Sequence, residues 1–209
     1  MNALIVVDIQ NDFLPGGALA VTDGDQIIPI VNELMKHFDF VIATQDWHPA
    51  DHKSFASNHP NHKPGDQIML DALPQILWPA HCVQHTFGAD FAKSLLTDRF
   101  DKIIQKGSNI HVDSYSGFFD NGKKQDTGLH DYLVEKQINE VYVVGLATDY
   151  CVKFTALDAY GLGLKTTVIS DATRAVNLCE GDFEKSLEEL KAKGIEIRNS
   201  IEFLAYKKA

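Results

Sequence analysis

Six short runs of apolar, largely β-branched residues recur along the chain, with helical patterns between most of them. They are residues 3–7 (ALIVV), 40–44 (FVIAT), 102–105, 141–144 (VYVV), 166–169 and 195–198. The unbroken apolar run at 3–7 suits a strand covered on both faces, because alternation is needed only where one face meets water. Helical spacing is read at 25–37, 89–96, 127–136, 149–160 and 180–193. Such alternation requires right-handed crossovers and a mainly parallel sheet with helices on both faces. The expected fold is α/β, a three-layer α/β/α sandwich with six strands. With no repeat, low-complexity segment or linker, residues 1–209 read as one domain.

Two polar stretches interrupt the rhythm. Residues 45–87 are irregular and rich in His, Pro, Asp and Asn, with one short helical pattern at 71–77; residues 106–125 form a second polar loop. Long stretches of this kind inside a compact domain are uncommon and usually functional. In open α/β sheets, ligands bind in the crevice beyond the carboxyl ends of the strands. Asp8 ends the first strand, Asp46 follows the second, Lys106 ends the third and residues 146–151 follow the fourth. Four strand ends thus converge on one crevice.

Charge narrows the partners. The 29 acidic and 19 basic residues give a net charge of −10. Duplex binding needs a positive footprint that displaces counterions, so nucleic acid and anionic membrane are not expected, while a small neutral ligand remains open. Three cysteines form no disulfide framework, and the nine histidines lack zinc-finger spacing. The start MNALIVVDIQNDF has no basic n-region, and no apolar run reaches the roughly 18 residues that span a bilayer. The expected location is cytoplasmic. The oligomeric state is left open, a homo-oligomer included.

Each strand-end residue, taken alone, reads two ways. Cys151, in GLATDYCV, stands at a strand–turn–helix junction, where the helix N-terminus would favour a thiolate; a lone cysteine is more often a small buried hydrophobe. Asp8 follows four apolar residues, so partial desolvation would raise its pKa and suit a proton shuttle, unless it simply bonds the loop backbone. Lys106 is an ordinary strand-end lysine, or the cation that stabilises both anions. Asp46 and His48 in TQDWHP, with His81 in WPAHCV, offer mixed carboxylate and imidazole ligands suited to Zn²⁺, Fe²⁺ or Mn²⁺. Loop histidines held by backbone hydrogen bonds are the plainer reading.

In one order along nearly the whole chain come LIVVDIQNDF, TQDWHP, WPAHCV, QKG, YSGF and GLATDYCV. This combination resembles the nicotinamidases of the isochorismatase-like cysteine hydrolase superfamily. The resemblance implies hydrolysis of nicotinamide to nicotinate and ammonia within NAD recycling, with pyrazinamide as a second substrate. It places the catalytic residues on Asp8, Lys106 and Cys151. One divalent metal ion, Zn²⁺ foremost, falls on Asp46, His48 and His81. The oxyanion hole falls on the backbone N–H groups of Ala147 and Cys151, set by a cis peptide before Ala147. The substrate ring falls among Phe13, Trp78, Tyr115 and Ala147. Some members carry a further histidine ligand where this chain has Ser54, and His52 is displaced by two positions, so neither is assigned. Hydrolases of the superfamily that act on isochorismate, carbamoylsarcosine or ureidoacrylate lack the metal set. A catalytically dead thiol or metal sensor would not need the full Asp8, Lys106 and Cys151 set.

Overall fold

The computed structural model describes residues 1–208. Six strands form one sheet: β1 (Asn2–Val7), β2 (Phe40–Asp46), β5 (Lys102–Lys106), β6 (Glu140–Leu146), β7 (Lys165–Arg174) and β8 (Glu196–Arg198). Strands β3 (Gln67–Leu70) and β4 (Leu73–Ile76) pair separately as an antiparallel hairpin. The order across the sheet is β5-β2-β1-β6-β7-β8, and every pairing in it is parallel.

The apolar run of β1 shows why two covered faces are needed. Leu4 and Val6 point into one core with α1 (Ile28–Leu34) and Phe203 of α5 (Ser200–Lys208). Ala3, Ile5 and Val7 point into the other, with α2 (Leu129–Glu135), α3 (Lys153–Gly161) and Leu190 of α4 (Asp182–Ala192). Successive side chains of a strand face opposite ways, so a continuous apolar run fills both layers. The three-layer expectation holds, and the sheet is parallel throughout.

From β1 the chain steps outward through β2 to β5, then returns to place β6 on the other side of β1. The reversal opens a crevice at the carboxyl ends of β1 and β6, the usual ligand site of such sheets. Gly145 makes the close approach there possible. It has φ +112°, and a Cβ on it would stand 2.1 Å from the Val7 carbonyl oxygen.

Two expected helices are absent. The sequence suggests a short helix at 71–77; instead Asp71 (φ 47°) and Ala72 (φ 66°) form the tight turn of the β3–β4 hairpin. Two successive left-handed residues match the twist of a two-residue hairpin, and Pro74 could not serve a helix interior. The spacing at 89–96 also predicts a helix, but the chain makes only one 3₁₀ turn there, Phe87–Ala89. Its backbone is claimed elsewhere. Gln10 and Gln45 donate to the Ala89 carbonyl, Asn11 N–H donates to Asp90, and Ala92 N–H donates to Ile9. The pattern at 25–37 is helical but mixed, with 3₁₀ turns at Gly24–Ile27 and Met35–His37 flanking α1. No helix among the described residues is long and apolar enough to cross a membrane.

Gly145→Ala should lower stability by more than the roughly 1–3 kcal/mol of a disfavoured φ alone, because the new methyl meets β1 backbone. Thermal unfolding should show Tm lower by about 5 °C or more at this chain length. An unchanged Tm would contradict the register of β1 against β6.

Candidate active site

A wholly buried ammonium stands at the centre of the crevice. Nζ of Lys106 lies 2.8 Å from Asp8 Oδ2 and 2.5 Å from Asp46 Oδ1. It donates to the Ser114 carbonyl at 2.9 Å and lies 3.4 Å from Cys151 Sγ. Asp8 reaches this point because the chain turns sharply out of β1: Asp8 is left-handed (φ 47°), a conformation uncommon outside glycine and frequent at functional sites. Its other oxygen, Oδ1, accepts the Thr44 hydroxyl at 2.6 Å. Asp46 is held from behind by Gln10, whose Oε1 accepts the Asp46 N–H and whose Nε2 donates to the Asp46 carbonyl, each at 2.8 Å.

The ionisation of the cluster follows from burial and from that one cation. Burial, with Asp46 nearby, raises the Asp8 pKa, and Lys106 offsets only part of the rise. Burial would also raise Asp46, but Lys106 and His48 outweigh it and hold that carboxyl well below its ordinary range. For Lys106, burial opposes the charge, yet the two carboxylates keep it protonated far into alkali.

Cys151 requires a correction. The sequence places it in the first turn of a helix with its thiolate favoured. In the structure it lies in a wide turn, Thr148–Val152, closed by a Val152 N–H to Ala147 carbonyl bond of 3.0 Å that spans five residues ahead of α3. Burial pushes its thiol well above the ordinary value, and Lys106 reverses only part of that. The resting proton therefore sits on sulfur, and a base must remove it. The peptide between Leu146 and Ala147 is cis, and Ala147 lines the cleft beside Cys151.

On the other flank of Lys106, Asp46 Oδ2 lies 3.5 Å from His48 Nε2 and 3.8 Å from His81 Nε2. Each imidazole turns its second nitrogen to a carbonyl: His48 Nδ1 to Gly107 at 2.8 Å and His81 Nδ1 to Pro79 at 2.8 Å. A carbonyl can only accept, so each Nδ1 carries a proton, which leaves Nε2, on the Asp46 side, as the nitrogen available to a metal. Tetrahedral Zn²⁺ at about 2.0–2.1 Å would separate its ligand atoms by about 3.3 Å, near the separations seen. The donor set fits a divalent metal. Gly107 leaves room for the His48 ring: with φ +67°, a Cβ there would stand 2.4 Å from His48 Cε1.

Ser54 and His52 are engaged with each other. Ser54 N–H donates to His52 Nδ1 at 3.1 Å, and Ser54 Oγ lies 2.7 Å from the same nitrogen. His52 Nε2 is buried without a hydrogen-bond partner among the described residues, and burial lowers its pKa to about 4. Its ring packs 4.6 Å from that of His48, with the Asp113 carboxylate nearby.

The cleft above these groups has about 350 Å³ of empty space, part of it open to solvent. Phe13, Trp78 and Tyr115, the residues the resemblance assigns to the substrate ring, line it together with Leu19, Asp113, Tyr150 and Val176, which were not singled out from the sequence. Trp78 packs on Tyr150 at 4.9 Å and donates its Nε1–H to the Tyr115 hydroxyl at 3.1 Å. Val176 follows the carboxyl end of β7, so the strand-end rule, carried one strand further, would have found it. Tyr150 lies within residues 146–151, at the fourth strand end, whereas Leu19 carries no comparable signal.

A model described as the isochorismatase domain matches residues 2–202. The nicotinamidase of Escherichia coli is 49% identical over 196 residues, covering 92% of this chain and 92% of that protein. A solved nicotinamidase/pyrazinamidase structure from Acinetobacter baumannii superposes with a TM-score of 0.94 at 47% identity, covering 97% of each chain. A pyrazinamidase of Pyrococcus horikoshii, solved in complex with zinc, has a TM-score of 0.77 at 40% identity, covering 95% of this chain and 98% of that one. Matching over nearly its whole length, in sequence and in fold, the chain belongs to the isochorismatase family, within its nicotinamidase group.

Proposed function

We propose that the chain hydrolyses nicotinamide to nicotinate and ammonia, takes pyrazinamide as a second substrate, and serves NAD recycling in the cytoplasm. The observation that carries this reading is the Lys106 ammonium within reach of Asp8, Asp46 and Cys151 beneath a small aromatic cleft. The names of the relatives support the choice of substrate.

In this mechanism Asp8 takes the Cys151 proton, for which its raised pKa suits it, and Lys106 stabilises the thiolate. Sulfur attacks the carboxamide carbon, forming the C–S bond and moving an electron pair onto oxygen. Backbone N–H groups of Ala147 and Cys151 receive that oxyanion; one such donor is worth about 10²–10³ in rate. The protonated Asp8 gives its proton to nitrogen as the C–N bond breaks, and ammonia leaves. Water then cleaves the thioester, Asp8 taking its proton and returning one to sulfur. Phe13, Trp78 and Tyr115 hold the flat ring and exclude water. Asp46, His48 and His81 would hold one divalent ion, Zn²⁺ foremost with Fe²⁺ or Mn²⁺ as alternatives, which would supply Lewis-acid polarisation beside the ring.

Purified chain should release ammonia from nicotinamide, and Cys151→Ala should lower kcat by about 10³-fold or more while bound metal and Tm persist. Substantial turnover by that variant would remove cysteine from the chemistry; no turnover by the parent would remove the substrate assignment.

The pH profile of kcat/KM should show an acid limb above the ordinary carboxylate range. Asp8 works as the carboxylate, so activity falls as pH drops through its raised pKa. An acid limb at or below about 3.9, the ordinary aspartate value, would argue against Asp8 as the base.

Gly107→Ala should push His48 out of place and lower the metal bound per chain, read by elemental analysis, and a chelator should lower the activity of the parent chain. Full metal content in the variant would separate His48 from the site.

A further inference from the structure

The mouth of the cleft is built differently from its floor. Asp46, His81 and Cys151 lie buried below, whereas Leu19, Tyr115, Tyr150 and Val176 are half-buried around the rim. Val176 belongs to the segment after β7, and one side chain of the Cys151 turn holds that segment. Asp149 is only 6% exposed. Its Oδ1 accepts the Val176 N–H at 2.9 Å, and its Oδ2 accepts the Asn177 N–H at 3.0 Å. Among the described residues Asp149 forms no ion pair. A carboxylate so buried needs compensation, and here two consecutive backbone amides provide it. Asn177 is left-handed (φ 53°), and its Oδ1 accepts the Phe183 N–H, anchoring the segment to α4. The Val176 isopropyl group is thereby tied to a residue two positions before the Cys151 sulfur and two after Ala147.

We propose that Val176 is a specificity-determining residue at the cleft mouth, and that Asp149 is the positioning residue that sets its distance from Cys151. The pair selects unsubstituted pyridine carboxamides against ring-substituted ones. This rests on the cleft taking a flat aromatic amide, as proposed above. An apolar wall rejects one extra methyl by contact, and one methylene in such a pocket changes kcat/KM about 10- to 200-fold.

The test compares kcat/KM for nicotinamide with that for each ring-methylated isomer in the parent chain, Val176→Ala, Asp149→Asn and Asp149→Glu. Two substrates assayed on one preparation share the same folded fraction, so their ratio is immune to partial misfolding. The glutamate variant keeps the charge and moves the carboxylate by one methylene, which preserves the test if the asparagine variant is insoluble. Val176→Ala should raise the methylated-to-parent ratio for at least one isomer by about tenfold. The Asp149 variants should shift the ratio for that same isomer in the same direction, by about threefold or more. If Val176→Ala leaves every isomer's ratio within about twofold, the inference fails. If the Asp149 variants lower both rate constants together at constant ratio, Asp149 is merely structural and its positioning role is overturned. A parent chain inactive on nicotinamide would instead overturn the functional reading, an outcome distinct from an active chain with unmoved ratios.

Discussion

The site depends on one buried ammonium. Lys106, buried itself, stands between two carboxylates and a thiol, and that contact works against burial in setting each partner's ionisation. Asp46 stays charged because the Lys106 cation and His48 outweigh its burial, whereas burial, with the Asp46 charge beside it, leaves Asp8 closer to titration. The two aspartates beside the same cation thus differ in state, one held ionised and the other nearer to titration. The arrangement is costly to disturb, since removing one partner of a buried ion pair typically costs about 3–5 kcal/mol. Truncating Lys106 would leave two buried carboxylates facing each other.

Order in the metal half comes from backbone rather than from regular structure. The Gly107 and Pro79 carbonyls choose the histidine tautomers, and Gln10 grips Asp46 at both its amide and its carbonyl. Asp12 plays a similar part, its Oδ2 accepting the Cys82 N–H at 2.7 Å beside His81. Much of the long segment between β2 and β5 runs without helix or strand, yet its polar groups are paired to strand ends. That pairing is what allows a loop to hold ligands to a fraction of an ångström.

These same pairings explain where the sequence misleads. At 89–96 the apolar spacing fits a helix, but the carbonyl of Ala89 and the amide of Ala92 serve Gln10, Gln45 and Ile9, all more than forty residues away. At 71–77, the left-handed pair Asp71 and Ala72 turns the chain into a hairpin although neither is glycine. Cys151 misleads for another reason: its place at a junction is legible, but its burial is not, and burial decides that the thiol keeps its proton. Strand-end position was legible for Asp8, Asp46 and Lys106, and the structure brings these three together at one crevice, with His48 and His81 beside Asp46.

The sequence by itself determined the layered fold, because an unbroken apolar strand such as β1 admits only a sheet covered on both faces. It also determined the identity of the polar groups at the strand ends. Only the tertiary structure decided how those groups share one proton-bearing cation, which histidine nitrogen faces Asp46, and which side chains rim the cleft. Leu19, Tyr150 and Val176 converge from three separate segments, and no local period encodes a distance across the sheet's edge. Ionisation likewise depends on burial and on neighbours brought from afar, so it exists only once the chain has closed around Lys106.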